Sequence, residues 1–372
     1  MKSFVIFLLL LLIMTALLYI PVFAEESPKD DYGKEELIEA LPNDVGETLG
    51  KYNVEPDNGG VLDFSAGDFF SHAWDVFLIE IKRPLTMLFS LVGVILLYAA
   101  AEAVRDSTGS GKAGEAFSVV AVTTGAVMIS VHISECVLSI SKVLGSAGTF
   151  FSTFIPIFAG LMAITGQLAT AGVFGTAMMI AAGFFAQLIT AVLTPLTGCV
   201  LGISLAGAVD PGLNIERIAE LIKKIVVWGL GFITAVFAGM LSVQSLLTSS
   251  ADSVTMKAAK FVVSGGVPII GGAVGDALST VNASVGIIKA STGTFGIIAG
   301  LFILLPAFGS VVCYRLSLAV AAGISDLFGM IRLSSLIKSG ESVMKIISAL
   351  IICFALLMLV SIALMLIIGK GS

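Results

Sequence analysis

His132 and Glu135 stand three positions apart in an apolar run, 116–140. A helix there carries an imidazole and a carboxylate on one face. Ionisable groups within an apolar span face a bundle interior or a cavity and mark ion or proton pathways. Placed near the outer interface instead, the same pair would have no such role. Gln167, Asp276, Asn282 and Lys289 are further polar residues in apolar surroundings. Other chemistry is poorly supplied. Cys136, Cys199, Cys313 and Cys353 each sit in an apolar stretch without a C-x-x-C pair, and such cysteines behave as small hydrophobes. Gly109-Ser-Gly-Lys112 imitates the end of a phosphate-binding loop, but Asp106 replaces the required first glycine and Ala113 the required Ser/Thr. There is no H-E-x-x-H, no G-x-S-x-G and no pair of catalytic aspartates in facing spans. The expectation is a protein that is not an enzyme, with no catalytic residue, cofactor or metal.

The backbone offers a stronger signal than these side chains. Ser264-Gly-Gly-Val-Pro-Ile-Ile-Gly-Gly-Ala-Val-Gly-Asp276 is apolar, yet holds five glycines and Pro268. Glycine and proline both weaken a continuous helix. Irregular backbone at membrane depth is tolerated where protein or a water-filled cavity surrounds it, so this stretch reads as a re-entrant, broken element. Phe154-Ile-Pro-Ile-Phe-Ala-Gly-Leu161 echoes it, followed in both halves by Pro-x-x-Gly at 195 and 306 and by Leu-Ile-Lys at 221 and 336. Paired broken segments in two halves point to a transport pathway, although Gly/Ala/Ile-rich sequence also matches itself by chance. The pathway candidates are Pro156, Gly160, Pro268, Gly271, Gly272, Gly275 and Asp276, with His132 and Glu135.

The elements that must position these residues follow from composition. The chain of 372 residues is 57% hydrophobic and 12% charged, with a mean hydropathy of +1.05; soluble domains are about 25% charged. This is a polytopic membrane protein. Residues 1–24 read as a signal peptide: Lys2, an apolar run, then Val22 and Ala24 before Glu25. The alternative is an uncleaved anchor. Residues 25–67 form an acidic extracytoplasmic arm, with twelve acidic and three basic side chains in 25–63. That balance argues against nucleic acid or an anionic lipid surface as the arm's partner. The arm reads as flexible or as a docking segment, with low burial.

Residues 68–84 form an amphipathic helix in which Phe70, Trp74, Phe77, Leu78 and Ile81 recur at helical spacing. It suits either the membrane interface or packing on the rest of the protein. The first span and a cytoplasmic loop occupy 85–115, membrane repeat 1 occupies 116–224, repeat 2 occupies 225–343, and the last span and tail 344–372. The predicted fold is all-α: a polytopic membrane helix bundle with two parallel repeats. Each repeat has a Gly/Pro-broken re-entrant hairpin and an amphipathic interfacial helix, the second with Met330, Leu333, Ile337 and Met344 on one face. The arm is then outside, and Lys223 and Lys338 inside. Gly296-x-x-x-Gly300 would let two helices approach closely. Arg315, beside Tyr314, is either an interfacial snorkelling cation or one paired with Asp326 or Glu135.

With the leader, the acidic arm, the block Lys260–Ala277, Thr294-Phe-Gly-Ile297 and Ile331-Arg-Leu-Ser-Ser-Leu-Ile-Lys338, the chain resembles the stage III sporulation protein AE family of endospore-forming bacteria. The resemblance implies a membrane component of the mother cell-to-forespore channel, a secretion-like or feeding complex. It implies as partners other membrane and ring-forming proteins of the same sporulation operon and a cytoplasmic ATPase. The implied location is the mother-cell membrane surrounding the forespore. The reading from the residues alone leaves an alternative, a secondary transporter or permease with its site at the two proline hairpins.

Overall fold

The computed structural model describes residues 33–56, 61, 64–108, 111–188, positions between 195 and 239, and 271–368. The expected leader, Gly109-Ser110, Pro195-x-x-Gly198 apart from Pro195 itself, Pro268 and the rest of Ser264–Ile270 lie outside the described residues. The described helices include α1 Lys34–Glu39, α2 Asn43–Lys51, α3 Ala66–Glu80, α4 Lys82–Thr108, α5 Gly111–Ile164, α6 Leu168–Leu188, α7 Gly271–Leu327 and α8 Ile331–Ile368, with a further short apolar helix at Lys224–Phe237. Among the described residues, four helical runs are long and apolar enough to cross a membrane: Ala66–Ala100, Val119–Ile164, Gly286–Leu327 and Ile331–Ala363. At 54 and 57 residues, α5 and α7 are about 80 and 85 Å long, well beyond the hydrocarbon thickness of about 30 Å.

Local chemistry sets the element ends. Ser65 starts α3 with a reciprocal capping box: its hydroxyl accepts from the Asp68 N–H, and the Asp68 carboxylate accepts from the Ser65 N–H. Pro84 sits in the first turn of α4, where a missing N–H costs nothing. The α5–α6 and α7–α8 connections share one design. Gly166 (φ 80°) and Gly329 (φ 70°) adopt the left-handed conformation that ends a helix most easily as glycine. Gln167 N–H donates to Met162 O and Met330 N–H to Ser325 O, both at 3.0 Å, closing the last carbonyls.

Two expectations are corrected here. Pro156 does not break the chain: it lies inside the continuous α5, and the reversal comes at Gly166. Pro156 itself lies on the exposed face of α5, while Phe154, Ile155 and Phe158 around it are buried, and their packing offsets the one backbone hydrogen bond that the proline removes. Gly271, Gly272, Gly275 and Asp276 are helical, forming the first turns of α7. The proposed equivalence of 154–161 with 266–273 thus has one member in mid-helix and the other across the edge of the described residues.

The second correction concerns the arm. Leu37, Leu41, Val45 and Leu49 recur every four residues and are all buried, as are Val54, Val61 and Phe64. That spacing puts one apolar stripe along α1 and α2, which lies on α5 and α7. Lys34 Nζ meets Glu55 Oε2 at 2.7 Å, and the Thr292 hydroxyl of α7 donates to Pro56 O at 3.2 Å. The arm is therefore docked on the bundle, not loose.

The bundle core is aromatic. Helices α5 and α7 run antiparallel, with Phe150 near Phe295, Phe158 against Gly293 and Phe151 against Gly300. Helices α7 and α8 form an antiparallel hairpin marked by Gly293–Leu366, Arg315–Ser348 and Asp326–Lys338. Helix α3 runs parallel to α7: His72 stacks on Phe302 at 4.7 Å, and the Ser310 hydroxyl donates to the Glu80 carboxylate. Between apolar helices in lipid, such shape fit and dispersion replace the water-driven term. The expected face Met330, Leu333, Ile337 and Met344 is buried, packed as the N-terminal part of α8.

Candidate functional site

Three features stand apart from plain helix packing. The first is a polar node at the end of the bundle where the arm docks. Lys289 of α7 is 4% exposed, and its Nζ donates to Gln167 Oε1, 2.7 Å away in the α5–α6 turn. Thr170 and Thr292 are buried beside this level of the bundle. A buried ammonium requires such hydrogen bonds to remain charged. The node ties the α5–α6 turn to α7, while Thr292 ties α7 to the arm.

The second is the outer surface of the arm. With the apolar stripe turned inward, Glu35, Glu36, Glu39, Asp44 and Glu47 are exposed. The arm therefore presents a carboxylate-rich cap, suited to a basic protein surface.

The third is a slot of about 530 Å³ between α3, α7 and α8, bordered by Phe70, Trp74 and Phe77 on one side and Phe308, Val312 and Leu316 on the other. Its polar groups gather at one end: Arg315, Glu341 and Ser348. Arg315 Nη1 donates to Ser348 Oγ at 3.4 Å, while Arg315 Nε is enclosed with no partner. Glu341 is held by Lys345 at 2.7 Å. Of the alternatives for Arg315, pairing with Asp326 is not formed, because Asp326 pairs with Lys338 at 3.1 Å. Helix α3 contacts α7 through Phe69 and His72 and leaves Phe70, Trp74 and Leu78 exposed. The reading in which this helix packs on the rest of the protein thus holds for the face that carries Phe69 and His72.

Among the described side chains, the candidates predicted from sequence lie apart. His132 is half-buried with Nδ1 2.8 Å from Met128 O, one turn back in its own helix. Glu135 is exposed, within electrostatic reach of Tyr314. Gly160 is exposed, and a Cβ there would meet nothing within 4 Å. Pro156 belongs to the packed α5, and Gly271, Gly272, Gly275 and Asp276 to the start of α7. Among the polar candidates whose side chains are described, Gln167 and Lys289 come together. Sequence reading missed Ser348, Glu341 and the slot, whose signal was available only as Arg315 next to an amphipathic aromatic helix. Among the described residues no group of three metal-ligating side chains occurs, and the four cysteines are free thiols, with Cys136, Cys313 and Cys353 buried.

A family model described as Stage III sporulation protein AE (spore_III_AE) matches residues 52–369. The Stage III sporulation protein AE of Bacillus subtilis (strain 168) is 23% identical over 280 residues, spanning 72% of this chain and 69% of that protein. No solved structure matches. The match begins at the end of α2 and runs through α8, taking in the slot, the polar node and both glycine-turned hairpins, and the chain belongs to the stage III sporulation protein AE family.

Proposed function

We propose that this protein serves endospore development as a non-enzymatic membrane component of the complex that joins mother cell and forespore. The observation that carries the reading is the extent of the family match, 318 residues from 52 to 369, which includes the whole helical bundle. Four membrane-length apolar helices supply the anchor. The carboxylate cap supplies a docking surface for a partner outside the cytoplasm with a basic face. Arg332 and Lys338, near the far end of the bundle, supply basic side chains for a cytoplasmic partner, such as an ATPase.

A permease site formed by two broken hairpins has less support, since α5 passes through Pro156 without a break. The test is purification of the tagged full-length protein from sporulating cells, with identification of what accompanies it. Other membrane and ring-forming sporulation proteins are expected in stoichiometric amounts. Recovery of the protein alone, together with solute transport by it in reconstituted vesicles, would overturn the proposal.

A further inference from the structure

Phe302 of α7 is 1% exposed and sits at the centre of four rings. Tyr52 and Phe64 of the arm meet it edge-on at 6.4 and 5.8 Å. Phe69 of α3 does the same at 6.0 Å. His72 of α3 lies flat on it, 4.7 Å away and within 4° of parallel, and meets Tyr52 at 6.5 Å. The cluster is the joint at which the arm, α3 and α7 close together. His72 is its one ring that takes up a proton near neutral pH. It stands before the uncharged run 84–101, about 27 Å of helix and enough to cross the hydrocarbon, so the joint lies on the aqueous side with the arm.

The surroundings suit the neutral ring. Neither imidazole nitrogen has a hydrogen-bond partner among the described residues. A neutral, half-buried ring tolerates that. An imidazolium brings two N–H donors and a charge to a place whose walls are aromatic. Burial is the largest influence on the ring and opposes the charge. On its own helix Asp75 lies within electrostatic reach and attracts the charge, while Asp68 is engaged with Ser65. From the arm Lys51 repels it, and Glu55 is held by Lys34. Asp75 and Lys51 are both exposed, so water and salt screen both. Helix α7 carries no charge between Lys289 and Arg315, and α8 carries none from Ile346 to Ile368. With the arm lifted, the imidazole regains water on its Tyr52 side and titrates near its ordinary value of about 6.5.

We propose that His72 is an acid-operated release for the arm: its protonation in the ring cluster loosens the arm from the bundle. The docked arm then leaves fewer protons bound than the released arm. Docking is therefore full above about pH 6.5 and weakens as pH falls below it. One proton limits the change to about tenfold per pH unit. Release carries the carboxylate cap away from the bundle and bares the apolar stripe beneath it. The switch belongs to the chain itself and stands whatever partner meets the cap.

A thiol at Val45, 6% exposed within the stripe, reports release. Val45→Cys is placed in the full-length protein together with Cys199→Ser, which removes the exposed native thiol. Labelling at position 45 by an uncharged maleimide is timed from about pH 7.5 to about pH 5.5. Each rate is divided by that of the same protein carrying His72→Phe, so the reagent's own pH dependence cancels. The ratio should stand near one at the upper pH and rise about threefold or more at the lower, with helical circular dichroism unchanged. His72→Gln, neutral and polar, is a second reference and should give the same rise. A flat ratio against both references would overturn the proposal. So would a falling ratio, as a cation–π stack of imidazolium on Phe302 would give, or a rise accompanied by loss of helix.

Discussion

Gly300 of α7 sits so close to Phe151 of α5 that a Cβ on the glycine would stand 2.7 Å from the ring. Gly296, one turn earlier, faces Phe154 in the same way, and Gly293 faces Phe158 and Leu366. Three glycines on one stripe of α7 thus receive three phenylalanines of α5, which lets the two longest helices approach through their smallest residues.

Substitution along this seam should therefore be costly. Gly296→Leu or Gly300→Leu overfills a packed interface, with an expected loss of about 1–3 kcal/mol or more. The control is Gly160→Leu, where a Cβ meets open space; it should be tolerated, and Gly160→Ala should stabilise by about 0.5–1 kcal/mol. Thermal unfolding in detergent, followed by circular dichroism, reads all four variants. Harm at 160 and tolerance at 296 and 300 would contradict the packing described.

The docked arm makes a second demand. Leu49 is 2% exposed and Leu37 fully buried, so Leu→Ala at either should cost about 2–5 kcal/mol. Deleting 33–56 should lower the unfolding temperature and expose α7 to protease. Limited proteolysis of the wild type and the deletion is the check, and equal resistance would show the arm to be loose.

The polar node gives an asymmetric pair. Gln167→Leu removes an acceptor from a buried ammonium, at an expected cost of about 1.5–3 kcal/mol. Lys289→Met removes the charge itself and keeps most of the volume, so it should cost less. Urea unfolding of the two variants orders them, and the reverse order would contradict a charged Lys289.

Topology follows from the levels of contact along α7. The arm meets it at Thr292 and Lys338 meets it at Asp326, 34 residues apart, or about 51 Å of helix. A membrane-impermeant thiol reagent added to intact cells should modify Glu36→Cys and miss Lys338→Cys. Modification of both from outside would sink this orientation.

The membrane character, the aromatic helix at 68–84 and the close-approach glycines at 296 and 300 were readable because hydropathy and helical spacing are local properties. The docking of the arm was readable in principle, since Leu37, Leu41, Val45 and Leu49 mark a stripe every four residues. Twelve acidic side chains in 25–63 hid it, because average polarity says nothing about one face. The continuity of α5 through Pro156 was not local. A lone helix would be weakened there, and it is the packing of Phe154, Ile155 and Phe158 beside the exposed Pro156 that decides otherwise. The slot at Arg315 draws on α3, α7 and α8, which no short-range pattern links.

The acidic cap is the most direct handle on membership in a sporulation complex. Neutralising Glu35, Glu36, Glu39, Asp44 and Glu47 to Gln or Asn changes exposed positions only, each worth within about 0.5 kcal/mol of stability. The deciding measurement is recovery of partners from sporulating cells by the tagged protein, wild type against the neutralised variant, with heat-resistant spores counted from the same cultures. The account predicts that the variant accumulates normally in the membrane, loses its partners outside the cytoplasm and yields far fewer spores. Identical partners and identical spore counts in the two strains would contradict it.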